Sequence, residues 1–269
     1  MREILLGLIQ GLTEFLPVSS SGHLALVQYF YPGLDDSDLL LDILLHCGTL
    51  VVVVIYYRHD IAAILRATWA GVRGRAADED QLSRKLLPLV VVGSIPTGII
   101  GVACTAIIEA SFASLPLIGL ALCATGTLLF VANRADPART RRHISYRQAL
   151  IVGTVQGIAV LPGISRSGST IGTGILVGIE RRTAAKFSFL LSIPAILGAV
   201  LLEAKDLAGL TQTPHLIPYV LGTLVAFGSG YLAIAALIRV VVKQQLTGFA
   251  AYCWALGGLA LIVGLVFVG

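Results

Sequence analysis

Charge is what this chain has least of. Asp, Glu, Lys and Arg make up 13% of its 269 residues, about half the share found in soluble domains, and that scarcity excludes a soluble enzyme first. A nucleic-acid-binding face is not implied either, because the net charge of +4 comes from 19 Lys and Arg against 15 Asp and Glu confined to short stretches between apolar runs. Cysteine is scarce and unpaired in pattern: Cys47, Cys104, Cys123 and Cys253 stand singly inside apolar sequence, with no CxxC and no His at ligand spacing, so they read as small buried hydrophobes. No Walker A, HExxH or GxSxG sequence occurs, which leaves a soluble-type nucleotide or protease site without support. The apolar stretch beginning at Ile4 is interrupted by Glu14 and Pro17 and no small-residue cleavage site follows, so a cleaved signal peptide is not expected.

What is present is apolar sequence: 56% of residues are hydrophobic and the mean hydropathy is +0.88. The 29 glycines are spread through the apolar stretches rather than gathered in a low-complexity tract, as in membrane helices whose backbones approach closely. The expected class is an all-α polytopic membrane protein. Six segments have roughly the 20 apolar residues that a crossing needs: 39–57, 86–108, 115–132, 187–202, 216–238 and 249–268. Two further apolar regions, 4–31 and 149–179, are broken by LPVSSSGH at 16–23 and LPGISRSGS at 161–169, leaving halves too short to cross alone.

Lys and Arg mark cytoplasmic loops. By that rule 58–85, with Arg58, Arg66, Arg73, Arg75, Arg84 and Lys85, and 133–148, with Arg134, Arg139, Arg141, Arg142 and Arg147, lie inside. Residues 31–38, 109–114 and 203–215 carry almost no basic charge and belong outside. Arg181, Arg182 and Lys186 return the end of the second broken region to the side on which it began, which makes that region a re-entrant hairpin. An internal repeat extends the pattern: Gly7-x-x-Gln10-Gly11 recurs as Gly153-x-x-Gln156-Gly157, and Ser21-Gly22 as Ser167-Gly168, at an offset of 146. The expected architecture is a single membrane domain, 1–269, of two inverted-topology repeats, about 1–132 and 149–269, each a re-entrant helical hairpin plus three transmembrane helices. Ser94-Ile95-Pro96 and Ser192-Ile193-Pro194 fall on non-equivalent spans and read as chance proline usage.

Non-helical backbone at membrane depth is tolerated where it is buried in protein or lines a watery cavity. Two such turns brought together by symmetry would form a polar centre. The first supplies Gln10, Glu14, Ser19, Ser20, Ser21 and His23; the second supplies Gln156, Ser165, Arg166, Ser167, Ser169 and Thr170. Hydroxyls, an imidazole, a carboxylate and a guanidinium suit phosphoryl chemistry, and glycines at half-helix starts leave backbone N–H groups for an anion. Each Ser, Gly and Pro cluster alone reads as a helix kink; ionisable residues on both, costly inside a membrane, favour a functional site. Asp42 and His46, i and i+4 near the outer end of a span, read as interfacial or supporting residues.

At these residues the chain resembles the undecaprenyl-diphosphate phosphatase family, integral membrane enzymes associated with bacitracin resistance. QGLTEFLPVSSSGH at 10–23 and PGISRSGST at 162–170 are similar to the two signatures of that family, and AKFSFLLSIP at 185–194 to one of its helices. The resemblance implies hydrolysis of a C55 polyprenyl diphosphate to the monophosphate carrier used in peptidoglycan and envelope glycan synthesis. It implies an active site in the plasma (inner) membrane opening toward the outer face, and a divalent cation, Mg²⁺ or Ca²⁺. It further implies Ser20 as nucleophile, His23 as the group that moves its proton, Arg166 as phosphate clamp and Glu14 as the carboxylate for proton transfer or metal binding. Gln10, Ser19, Ser21, Ser165, Ser167, Gly168 and Thr170 would bind substrate. Gln10, where some relatives have Glu, and His46, where Gln is expected in many relatives, are departures within the family pattern. The partners implied are the polyprenyl diphosphate lipid and the bilayer, with a homodimer left open and no nucleic acid. The competing class is an inverted-repeat carrier or flippase moving a polyprenyl phosphate or small anion without hydrolysis.

Overall fold

The apolar periodicity resolves into helices alone. The computed structural model describes residues 1–30, 39–73, 81–205 and 216–267. These residues form α1 (Arg2–Phe15), α2 (Ser20–Phe30), α3 (Leu39–Tyr56), α4 (Arg58–Val72), α5 (Gln81–Ala103), α6 (Thr105–Phe112), α7 (Leu115–Asn133), α8 (Tyr146–Ile158), α9 (Arg166–Leu176), α10 (Arg181–Glu203), α11 (Leu216–Val242) and α12 (Thr247–Phe267). Six of them, α3, α5, α7, α10, α11 and α12, are long and apolar enough to cross a membrane. Their outward faces, including Ile99, Leu120, Leu232 and Ile262, are exposed aliphatic surface of the kind that meets lipid. Of the segments read from charge as outer loops, 31–38 lies wholly and 203–215 largely outside the described residues.

Both broken regions form pairs of short helices. At 14, 11, 13 and 11 residues, none of α1, α2, α8 or α9 exceeds about 21 Å, short of a hydrocarbon core of roughly 30 Å. The two ends of the α8–α9 pair meet: Arg141 N–H donates to Gly178 O at 2.9 Å, Glu180 N–H donates to Arg141 O at 2.8 Å, and Gln148 Nε2 donates to Val177 O at 2.8 Å. The chain therefore leaves this hairpin where it came in.

Two segments differ from the hydropathy reading. Residues 58–72, expected within a loop, are helical because Ile61, Ile64 and Ala67 recur at helical spacing and give α4 a face on α5. The stretch 86–108, expected as one span, divides at Cys104 (φ −107°, ψ 13°), and Thr105–Phe112 becomes a separate two-turn helix.

Helix crossings set the arrangement. α1 packs on α11, α8 on α5, and α7 on α12. At the first two crossings glycine backbones face each other, Gly7 on Gly222 and Gly153 on Gly93, and an added Cβ at Gly7 or Gly153 would collide with the facing carbonyl. In lipid this close approach substitutes for the hydrophobic drive that water supplies elsewhere. The first half of each hairpin is thus clamped by a span from the other half of the chain. The largest apolar cluster, with Phe15, Val52, Leu129, Ile171, Phe187, Phe189 and Leu237, fills the space beside the hairpin tips and holds them in register.

Candidate active site

The two hairpin turns meet tip to tip. Ser19 sits in the left-handed region at φ 70°, a conformation that costs a non-glycine residue roughly 1–3 kcal/mol. Its Oγ accepts hydrogen bonds from Gly22 N–H at 3.2 Å within its own turn and from Gly163 N–H at 3.1 Å across the junction. Gly163 turns at φ +92° and lies against α7, where the Thr125 hydroxyl donates to Gly163 O at 3.2 Å and accepts from Ser165 N–H at 3.0 Å. Ser165 Oγ caps α9 by accepting from Gly168 N–H at 3.1 Å, as Ser19 Oγ does for α2. Ser167 Oγ donates to Leu16 O at 3.1 Å, a second tie between the turns.

This geometry places Ser20 and Arg166 at equivalent positions, each the first residue of a half-helix, and both reach one carboxylate. Glu14, 8% exposed near the end of α1, accepts from Arg166 Nη2 at 2.7 Å on Oε1; on Oε2 it accepts from Ser20 Oγ at 2.7 Å and from Gln10 Nε2 at 3.1 Å. A buried guanidinium–carboxylate pair is costly to desolvate and costly to break, about 3–5 kcal/mol if one partner is removed. Glu14, Ser20 and Arg166 line a cavity of about 160 Å³ with Ser19, Ser21, Ser165, Thr13, Thr97, Gln156 and His46; its remaining wall includes Val160, Ile164 and Ile196. Gln10 Oε1 and Gln156 Oε1, 146 residues apart in the sequence, are buried acceptors with no hydrogen-bond partner among the described residues.

Other residues named from the sequence sit elsewhere. His23 does not bond Ser20: its Nδ1 contacts Ser19 O at 2.7 Å and its Nε2 contacts Tyr252 Oη at 2.7 Å, with the two rings stacked 5.7 Å apart. On α2 the imidazole folds back over the turn and reaches α12 instead of the cavity. Ser167, Gly168 and Thr170 lie outside the cavity wall, Thr170 Oγ1 being 2.5 Å from Ser188 Oγ on α10. The imidazole that does line the cavity is His46, from α3, which contacts Asp42 O at 2.9 Å through Nδ1. Thr97, Thr125 and Tyr252 were not legible as site residues, since α5, α7 and α12 each carry other hydroxyls, such as Ser94, Thr127 and Thr247, and nothing in the sequence marks these three out.

As to metals, no three of His, Cys, Asp and Glu cluster among the described residues. The donor set around Glu14 is one carboxylate, hydroxyls and the free carbonyl oxygen of Gln10. These are hard oxygen donors suited to Mg²⁺ or Ca²⁺, and Mg²⁺ is commonly held by one or two carboxylates together with substrate phosphates.

Fold and site together define a polytopic membrane protein with a buried acid, hydroxyl and guanidinium at the junction of two broken hairpins. The chain belongs to the family described as bacitracin resistance protein BacA, whose model matches residues 3–259. Among its relatives, a protein of Syntrophotalea carbinolica named undecaprenyl-diphosphatase is 44% identical over 262 residues, covering 96% of this chain and 97% of the relative. Another of that name, from Desulfosudis oleivorans, is 46% identical over 274 residues, covering 98% of each. A third, from Methanosphaera stadtmanae, is 39% identical over 275 residues, covering 99% of this chain and 98% of the relative.

Proposed function

We propose that this chain is an undecaprenyl-diphosphatase that removes the terminal phosphate of a polyprenyl diphosphate and leaves the monophosphate lipid. The observation that carries this reading is the single carboxylate, Glu14, held at 2.7 Å from both a serine hydroxyl and a guanidinium. A serine is a weak nucleophile unless a base is adjacent, and here the adjacent base is Glu14 rather than His23. In the proposed reaction Ser20 Oγ attacks the terminal phosphorus as its proton passes to Glu14 Oε2. The anhydride P–O bond breaks and its electron pair stays with the departing prenyl monophosphate. Water then adds to the phosphoserine, Glu14 returns its proton to Ser20 Oγ, and both hydrogens of the water leave with the phosphate. Arg166 neutralises the charge gathering on the equatorial oxygens in a site where such interactions are strong. Gln10 Oε1 and Gln156 Oε1 are free to accept from ordered water. A divalent cation would be held by Glu14 together with the substrate phosphates, and when bound would screen the charge of the diphosphate.

The architecture proposed is a pair of inverted repeats in one membrane domain. It is supported by the reciprocal crossings of α1 with α11 and α8 with α5 and by the matched serine caps of α2 and α9. The site is proposed to open toward the outer face of the plasma membrane, since the arginine-rich segments all fall at the other ends of the spans.

Inorganic phosphate released by purified protein from a polyprenyl diphosphate in detergent tests the reading and separates it from carriage without hydrolysis. Wild-type protein is expected to release phosphate, and Ser20→Ala to lower turnover by roughly 10²–10⁴ with an unchanged elution profile. No release by wild-type protein across pH and Mg²⁺ or Ca²⁺ concentration would leave a carrier as the better account. Near-normal release by Ser20→Ala would replace the serine with direct attack by water.

A further inference from the structure

At the opposite end of α8 from the catalytic cavity lies a second cavity, of about 740 Å³, whose wall includes Lys85, Arg141, His143 and Arg147 together with Ile144, Ile151 and Val177. Among the described residues no acidic side chain lines it. Glu180, three residues after Val177, is turned to Arg142 Nε at 3.4 Å and accepts from the Thr183 hydroxyl at 3.0 Å. Positive charge gathers here where it is least comfortable, because Arg147 stands in the first turn of α8, at the positive end of its dipole. The Ser145–Gln148 capping box satisfies the N–H of Gln148; those of Tyr146 and Arg147 have no acceptor inside the helix. The segment is fixed, since Arg141 is bonded through both backbone groups to the chain leaving α9.

Orientation in the membrane requires basic residues in this loop but does not require them to converge. Two arginines of the same segment are engaged away from the cavity: Arg142 with Glu180 and Arg134 over the Phe130 ring at 3.9 Å. Arg141 and Arg147, with Lys85 from the start of α5, instead face one space whose wall is also partly aliphatic. We infer that this cavity is a binding site for the phosphate headgroup of an anionic phospholipid, taken from the leaflet on the arginine-rich side. Its cations hold the phosphate, and Ile144, Ile151 and Val177 receive the start of the acyl chains. A free phosphate ion would share the charge chemistry but leave the aliphatic part of the wall uncovered. Basic pockets between helices on this side of a membrane suit such headgroups, each Lys or Arg strengthening binding by an amount that makes two together worth roughly thirtyfold.

The test uses the whole protein in detergent, titrated with phosphatidylglycerol, phosphatidylcholine or inorganic phosphate, with bound lipid counted by native mass spectrometry and unfolding followed thermally. Arg141→Ala/Arg147→Ala is compared with Arg134→Ala/Arg142→Ala, which removes the same charge from the same segment outside the cavity. Phosphatidylglycerol should bind the wild-type protein and raise its unfolding temperature more than phosphatidylcholine does. Arg141→Ala/Arg147→Ala should weaken that binding by roughly thirtyfold, and Arg134→Ala/Arg142→Ala should leave it nearly intact. Equal loss in both pairs would show general loop charge and overturn the site. So would equal binding of the two lipids. Inorganic phosphate reproducing the full thermal shift at the same concentration would overturn the lipid as ligand.

Discussion

Gln10 bears directly on the carboxylate of Glu14, and Tyr252 on where the His23 ring points. Gln10 donates to the oxygen that also takes the Ser20 hydroxyl, so it holds the carboxylate in line with the nucleophile at no cost in charge. Gln10→Glu exchanges that donor for a second carboxylate one turn away, which repels the first unless a cation lies between them. Phosphate release across Mg²⁺ concentration should therefore show Gln10→Glu with a lower rate at low metal and near wild-type rate at high metal. An unchanged metal dependence would mean that the position does not sense the charge of Glu14. Tyr252 bears on His23 alone. Since that pair lies off the cavity, Tyr252→Phe should cost about 1 kcal/mol of stability, the value of one hydrogen bond, and change turnover less than tenfold. A loss as large as that of Ser20→Ala would return His23 to the proton path. The sequence put forward Glu14, Ser20 and Arg166 because all three fall within two short motifs, 10–23 and 162–170. It could not show that His23 faces a tyrosine 229 residues away, since side-chain direction depends on which helix packs alongside.

Hydropathy locates the six long helices well because each is a run of apolar residues near span length, and serine, glycine and proline clusters locate the two breaks. It misses α4, whose sequence RHDIAAILRATWAGV alternates charged and apolar residues too finely for a span-length average, and it runs through Cys104, where the turn carries no proline or glycine. What hydropathy cannot reach is which helices cross closely, and there the glycines decide. Gly153 meets the backbone of Gly93, whereas nothing lies within 4 Å of a Cβ added at Gly258. Gly153→Val should force α8 from α5 and destabilise the protein by roughly 1–3 kcal/mol or more, displacing the α9 turn with it. Gly258→Ala should be neutral or slightly stabilising, as alanine favours helix. Thermal aggregation in detergent measures both, and a Gly153→Val protein as stable as wild type would mean that the α5–α8 contact is not what positions the turn.

At the scale of the whole molecule, the proposed reaction depends on which side each end of a span faces, because a diphosphate headgroup can reach Glu14 only from the side to which the cavity opens. The hydrogen bonds that join Arg141 to Gly178 and Glu180 put both ends of the α8–α9 hairpin on one face. Three spans, α10 to α12, follow it, and three follow the first hairpin; with an odd number in each half, the proposed common internal face for the arginine-rich segments goes together with the proposed inversion of the two halves. Single cysteines in a protein lacking Cys47, Cys104, Cys123 and Cys253 test this directly. A cysteine at Ala113, exposed between α6 and α7, should react with an impermeant thiol reagent in intact cells. One at Ala138, exposed beside the α8 start, should react only after permeabilisation. The reverse pattern would turn the molecule over and place the access route for the diphosphate on the cytoplasmic side. Labelling of both in intact cells would break the odd span count and the inverted repeat with it. Phosphate release by the purified protein would survive either result, since the contact of Glu14 with Ser20 and Arg166 does not depend on which face is outside.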